Sequence, residues 1–237
     1  MPNANPSSLK ISQMKGILHV VLETPKSKSI SILSQAFETN SSLNHSFFLV
    51  PAETKQMIPD STVWELANNS FEMNPPHSER EEEWFLFLSN QINLPEQIEA
   101  ILSMLAGNSL LHVGRFVSFV NAEYLREEKI VKPWMDAIAH FSDAICFTNR
   151  TNGNGYLISE YVERYKSLRY PLETYILSSK KPAPLSQILS PTARRISHVF
   201  DPVDLLDPED SPDSDFYLTR KASGERARII PLPFSNS

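Results

Sequence analysis

Short apolar runs alternate with amphipathic stretches along most of the chain. The runs are rich in β-branched and aromatic residues, which is typical of buried strands, whereas the stretches between them carry apolar residues at helical spacing. Strands are predicted at residues 17–22, 46–50, 84–88, 115–120, 144–148 and 172–177, and helices at residues 30–37, 95–106, 133–141 and 157–168. This alternation predicts an α/β fold, a three-layer sandwich whose mainly parallel sheet is covered on both faces.

The two ends of the chain differ from this middle part. Residues 1–15 are polar and are interpreted as a flexible N-terminal arm, followed by the folded domain at residues 16–181. Residues 182–237 form a proline-rich, acidic extension, whose last part, residues 216–234, has the pattern of a terminal hairpin. We expect the extension to fold back along the domain or to dock on a partner.

Composition narrows the classes of function. The chain has 237 residues, 41% of them hydrophobic, which suffices for one core, and its net charge of −6 disfavours nucleic acid as a main partner. Cys146 is the sole cysteine, so neither a disulfide nor a cysteine-based zinc site can form within the chain. No apolar run resembles a signal peptide or reaches the length of a bilayer span, which predicts a cytoplasmic protein that makes no use of a membrane.

The segment after the first strand is a candidate phosphate loop that lacks its glycines. A working loop reads G-x-x-x-x-G-K-[ST], in which backbone amides and the lysine hold the phosphates and the hydroxyl binds magnesium. Residues 22–29 read L-E-T-P-K-S-K-S, so only Lys28 and Ser29 match, and the chain's 6 glycines all lie elsewhere. Lys28 and Ser29 are interpreted either as ordinary residues at a helix start or as the remains of a weakened anion site.

The order of the elements and five short stretches resemble the CobW-type GTPases. These are P-loop proteins of the SIMIBI class, distantly similar to the HypB and UreG metallochaperone GTPases. The resemblance covers about residues 15–180 and implies a P-loop NTPase-like sandwich with a mainly parallel sheet. Every one of the five stretches is degenerate; they are the phosphate loop and residues 50–54, 63–73, 88–95 and 140–152.

The stretches that the family uses for metal and for hydrolysis have lost their chemistry. At the thiolate positions of the family's metal motif stand Ser70, Glu72 and Met73, so the resemblance implies no metal site. Where the family's switch has an acid and a glycine, this chain has Leu88 and Gln91, which implies that it has no catalytic residues. Gln91 is interpreted as a strand-end cap in preference to a residue that orients water.

The family's base-binding motif, N-K-x-D, is partly kept. The corresponding residues are Asn149, Arg150 and Asn152, and Asn152 replaces an aspartate that accepts two hydrogen bonds from guanine. Because asparagine offers one acceptor and a donor, selectivity for guanine should drop sharply. Asn121 likewise replaces an aspartate of the family at the end of the fourth predicted strand.

These losses predict a CobW-like pseudo-GTPase that acts as a non-catalytic binding or scaffold module, with no cofactor and an unidentified protein partner. The alternative is a weak nucleotide- or phosphate-binding protein that uses Lys28, Ser29, Asn149 and Arg150, which leaves GTP, ATP and magnesium open as ligands. The sequence also leaves a homodimer open.

Two serines follow pairs of basic residues. Residues 194–197 read R-R-I-S and residues 220–223 read R-K-A-S. Both segments resemble acceptor sites of basophilic kinases, but such strings are common by chance. The sequence therefore assigns neither serine a role.

Overall fold

Strands and helices alternate along the chain in this computed structural model, which describes residues 11–39, 46–54, 58, 61–178, 180–201 and 214–235. The strands are β1 (Gly16–Glu23), β2 (Ser46–Pro51), β3 (Ser61–Ala67), β4 (Ser70–Met73), β5 (Glu82–Phe87), β6 (Leu111–Asn121), β7 (Ala144–Thr148) and β8 (Glu173–Ile176). The helices are α1 (Ser29–Thr39), α2 (Leu94–Ala106), α3 (Glu128–Phe141), α4 (Gly155–Ser167) and α5 (Leu185–Ile188), with a 3₁₀ turn at Ala122–Arg126.

The strands form one eight-stranded sheet in the order β4-β3-β2-β5-β1-β6-β7-β8. Neighbouring strands are parallel except for the antiparallel pair β3 and β4. Parallel strands need crossover connections, and α1, α2, α3 and α4 lie in those that follow β1, β5, β6 and β7. The predicted α/β sandwich with a mainly parallel sheet is confirmed. Within the described ranges, no helix is both long and apolar enough to cross a membrane.

The first face of the sheet packs against α2, α3 and α4. Leu18, Trp84 and Phe116 from the strands and Ile98 and Ile138 from the helices are fully buried in this core. The amphipathic pattern of the helices therefore has its expected cause, since each buries its apolar side against the sheet.

The second face is covered by α1 and by the short helix α5 of the C-terminal extension. Leu33 of α1 and Leu185 and Ile188 of α5 share one core with Phe85 and Cys146 from the strands. Cys146 is fully buried, and burial raises the pKa of its thiol. Because a parallel sheet has to be buried on both faces, α5 completes the domain and is not part of a linker.

A hairpin that the sequence analysis did not predict forms one edge of the sheet. It consists of β3 and β4, joined by Asn68 and Asn69 with φ values of 50° and 56°. Two-residue hairpin turns of this kind need positive φ at both central residues, and asparagine tolerates it better than most residues.

The described part of the N-terminal arm, residues 11–15, packs against the folded domain. Residues 1–10 of the predicted arm lie outside the described residues. Ile11 and Met14 are buried, and the Asn108 amide donates hydrogen bonds to their carbonyl oxygens at 2.9 Å and 2.8 Å. These contacts fix the chain just before β1.

The C-terminal extension folds back onto the domain, as expected, in the parts that can be described. Residues 202–213 of its acidic stretch lie outside them. Ile230 and Phe234 are buried against the first face. Where a terminal hairpin is predicted, Arg220 and Arg226 form an isolated antiparallel bridge.

A buried ionic network ties the extension to the sheet. Asp143, which has no exposed surface, lies 3.3 Å from Nη1 of Arg195 in the extension. Arg115, 1% exposed, donates to the Glu173 carboxylate at 2.7 Å and from Nε to the Ile188 carbonyl at 3.2 Å. Since buried charges are tolerated only when they are paired, this part of the extension has to stay in register with the strands.

Replacing Asp143 with alanine should lower the free energy of unfolding by about 3–5 kcal/mol. The change removes the fully buried carboxylate that lies 3.3 Å from Arg195 and 3.8 Å from Arg115, and it leaves both guanidiniums paired with partly exposed carboxylates. The control Asp136→Ala removes a partly exposed ion pair with Arg164 and should cost about 0–1 kcal/mol. Urea unfolding followed by tryptophan fluorescence measures both losses. Equal losses in the two variants would contradict the role given to the network.

Candidate functional site

The loop between β1 and α1 lies at the carboxyl edge of the sheet. Ligands of open α/β sheets bind at this edge, outside the carboxyl ends of the strands. Lys28 and Ser29 stand where α1 begins, as the sequence predicts. Thr24 is buried, and its Oγ1 accepts a hydrogen bond of 2.7 Å from the backbone amide of Asn121, which connects the loop to the end of β6.

Glu23, the last residue of β1, places its carboxylate inside this loop. Oε2 of Glu23 accepts a hydrogen bond from the Ser27 hydroxyl at 2.9 Å and a second from the Ser29 hydroxyl. Ser27 and Ser29 are each 1% exposed, so water hardly competes for their hydroxyls. A carboxylate of the chain itself therefore occupies the hydroxyl donors of the loop.

The charge of Glu23 works against binding of an anion. Burial raises the pKa of its carboxyl group above the usual range, while the hydrogen bonds from Ser29 and Ser27 oppose that rise. When ionised, the carboxylate repels a phosphate about 4 Å away by about 4 kcal/mol in partly buried surroundings.

Two lysines give the loop its shape without glycine. Lys26 and Lys28 have φ values of 58° and 64°, a left-handed conformation that costs a residue with a side chain about 1–2 kcal/mol. Side-chain amides bind the backbone carbonyls of the loop. Nδ2 of Asn149 donates to the Lys26 carbonyl at 3.0 Å, and Nδ2 of Asn121 donates to the Pro25 carbonyl at 3.5 Å. Surrounding contacts thus maintain a conformation that the loop residues do not favour by themselves.

The predicted base-binding residues differ in their contacts and exposure. Asn149 reaches the loop between β1 and α1 through its bond to the Lys26 carbonyl, whereas Arg150 and Asn152 are exposed. The structure therefore links Asn149 to the loop of Lys28 and Ser29, and it leaves Arg150 and Asn152 at the surface.

Asn154 organises this second loop, and the sequence analysis missed it. Its Oδ1 accepts a hydrogen bond of 2.7 Å from the Thr151 amide, and its Nδ2 donates to the Asn149 carbonyl at 3.1 Å. Asparagine just ahead of a helix commonly bonds the nearby backbone, and this is the signal that could have identified it.

The C-terminal extension covers the adjoining part of the edge. Residues 230–233, together with Glu23 and Ser89, line a cavity of about 20 Å³. That volume holds about one water molecule. Beside it, Phe234 packs edge-on against Trp134, with 5.1 Å between ring centroids. Gln91, the candidate for orienting water, is exposed.

The residues at the family's thiolate positions do not converge. Ser70 and Glu72 are on the exposed face of β4, whereas Met73 is buried on the opposite face. Within the part of the chain that the structure describes, no group of three His, Cys, Asp or Glu side chains is placed to hold a metal ion.

Comparison with solved structures finds GTPases of similar fold. One is a zinc-bound triple mutant of the YjiA GTPase, with a TM-score of 0.48 and 10% identity over 75% of this chain and 62% of that chain. Another is the zinc-bound YjiA GTPase from E. coli, with a TM-score of 0.47 and 8% identity over 76% of this chain and 62% of that chain. This chain thus spans less than two thirds of the length of either matched chain.

Sequence comparisons give no match. No protein-family model matches the chain, and no curated protein matches it significantly.

Glu23 should make stability depend on pH. Because the folded protein holds the Glu23 proton more tightly than the unfolded chain, this residue's contribution is fully present below the ordinary carboxyl pKa and is lost as pH rises through the raised one. Glutamine does not titrate, so Glu23→Gln should lack that part of the change in the free energy of unfolding with pH.

Urea unfolding at a series of pH values, from below the ordinary carboxyl pKa to neutrality, measures the slope. The matched control is Glu123→Gln, which makes the same substitution at an exposed carboxylate. A Glu23→Gln slope equal to that of the wild type would show that Glu23 is not perturbed.

Proposed function

We propose that this chain is a CobW-like pseudo-GTPase, a non-catalytic module that binds another protein or serves as a scaffold. The observation that carries this proposal is the Glu23 carboxylate, which holds the Ser27 and Ser29 hydroxyls. In a working loop the hydroxyl at the position of Ser29 binds magnesium and the loop encloses phosphate. Here the same donors serve an internal anion.

The surroundings of the loop support the proposal. Leu88 and Gln91 replace the acid and the glycine of the family's switch, so the groups that position water and report on a γ-phosphate are missing from those positions. The residues present therefore do not fit a nucleotide bound with magnesium, and no hydrolytic step is proposed.

The acidic net charge favours a protein as the partner over nucleic acid or an anionic membrane surface. A cytoplasmic location belongs to the same proposal, since the lone cysteine is buried and forms no disulfide.

A second candidate, weak binding of a phosphate or nucleotide, is favoured by a different observation. Lys26, Lys28 and Arg150 are exposed, and the bond from Asn149 to Lys26 joins the loops that carry them. Their positive charge is available at the carboxyl edge of the sheet, where it attracts anions despite Glu23.

The wild-type chain should show no magnesium-dependent GTP turnover, because the loop lacks free hydroxyls and the switch residues are absent. Phosphate release, measured with the wild type and with Lys28→Ala, should be equal and at the background of the assay. Turnover that disappears in Lys28→Ala would overturn the pseudo-GTPase proposal.

Removing the internal carboxylate should restore part of the anion site. Glu23→Ala should bind GDP at least about tenfold more tightly than the wild type, the change expected when about 1.4 kcal/mol of like-charge repulsion is removed. Isothermal titration measures the affinity, with Glu123→Ala as the matched control for loss of an exposed carboxylate.

The same titrations separate the two candidates. Heat from GTP, ATP or their diphosphates with the wild type, lost in Lys28→Ala, would establish weak binding in place of the scaffold proposal. An affinity unchanged by Glu23→Ala would show that the carboxylate does not block the loop.

A further inference from the structure

The two segments with the pattern of basophilic kinase sites lie in very different surroundings in the folded protein. Kinases of this class recognise the acceptor serine through basic residues at the second and third positions before it, so the acceptor has to be accessible in a chain that can enter the kinase cleft. Both segments meet the sequence requirement, and only the fold can distinguish them.

Ser197, the serine of the first segment, is inaccessible. It is 1% exposed, and its hydroxyl donates to the Asp215 carboxylate at 2.7 Å. Its amide donates to the His140 carbonyl at 3.0 Å, and Arg195, two residues earlier, is held by Asp143 inside the buried network. A kinase would have to unfold this part of the domain to reach it.

Ser223, the serine of the second segment, lies exposed in a surface turn. The turn is closed by bonds of 2.8 Å from the Lys221 amide to the Glu225 carbonyl and from the Gly224 amide to the Lys221 carbonyl. A side chain placed on Gly224 would meet no atom within 4 Å, so the space around the tip is open. Residues 220–225 are exposed, and bonds at the surface make local opening of the turn less costly than opening of the core.

We infer that Ser223 is a phosphorylation site for a serine kinase that reads Arg220 and Lys221. In the reaction Oγ of Ser223 attacks the γ-phosphorus of ATP. The new O–P bond forms as the bond from that phosphorus to the β,γ-bridging oxygen breaks, ADP leaves, and the hydroxyl proton passes to the catalytic base of the kinase.

The phosphate has a ready partner in Arg220. Nη1 of Arg220 donates to the Gly224 carbonyl at 3.0 Å, and Nη2 donates to Glu99 of α2 at 2.8 Å. A phosphoserine beside Gly224 carries more charge than Glu99 and offers three oxygens, so it competes for the guanidinium. Nη1 of Arg226 also donates to Glu99, at 2.7 Å, and this second ion pair remains after phosphorylation. Phosphorylation therefore weakens one of two ion pairs that hold the end of the extension against α2.

The site is tested with the full chain, radiolabelled ATP and the purified catalytic subunit of cyclic-AMP-dependent protein kinase, which prefers basic residues before the serine. Mass spectrometry should place the phosphate on Ser223 of the folded chain. Labelling should be lost in Ser223→Ala and kept in Ser197→Ala. No incorporation, or incorporation at Ser197, would overturn the proposal.

Arg220→Ala separates recognition from access. This change loosens the turn by removing its bond to Glu99, so an effect of access alone would raise the rate of labelling. If the kinase recognises Arg220, the rate of labelling should fall instead. The fall should be about tenfold or more, the change that corresponds to a loss of about 1.4 kcal/mol of binding free energy. An equal or faster rate would overturn the assignment of Arg220.

Hydrogen exchange tests the effect of the phosphate on the extension. Amides of residues 216–228 should exchange faster in the phosphorylated chain than in the unmodified chain, while Ser223→Ala treated with kinase and ATP should not change. Exchange that is unchanged or slower in the phosphorylated chain would show that Arg220 does not leave Glu99.

Discussion

A parallel sheet has to lose water from both faces, and much of this structure follows from that constraint. Among the residues that the structure describes, three crossover helices cover the first face, whereas the second has α1 as its one long helix. Leu185 and Ile188 of the extension supply the missing cover, and they pack with Phe85 and Cys146 in the second core. A proline-rich segment that would pass for a linker by composition is thus an integral layer of the domain. The paired charges around Asp143 then hold that layer in position.

The same reliance on internal contacts explains how the loop between β1 and α1 keeps a left-handed backbone without glycine. The loop carbonyls are bonded by the amides of Asn121 and Asn149, and its hydroxyls by Glu23. Every one of these partners comes from the chain itself. The backbone conformation that glycine and a bound anion ordinarily stabilise is here stabilised by side chains, so the fold has no need of a ligand at this point.

Much of the architecture could be predicted from the sequence, because long runs with clear periodicity identify strands and helices regardless of tertiary contacts. Boundaries are harder to predict. α3 begins at Glu128, so Pro133 lies inside the helix, whereas proline favours the first helical turn and therefore led to a predicted start at residue 133. The β3–β4 hairpin was missed because its first strand was interpreted only as the approach to a metal motif, although Asn68 and Asn69 carry a turn signal. The loops of Lys28 and Asn149 were identified, but the position of the Glu23 carboxylate depends on how β1 ends against α1. No local pattern encodes that contact.

The carboxylate of Glu23 differs from a bound nucleotide because it is permanently attached to the protein. A ligand shifts a conformational equilibrium only if the protein also exists without it, and a group attached to the backbone is present at a constant, high effective concentration. It can be neither exchanged nor hydrolysed. In the proposed function, the surface that this domain offers a partner is therefore set once, by folding, and stays constitutive. Any control over it has to come from elsewhere on the molecule, such as the peripheral contacts that hold the extension in place.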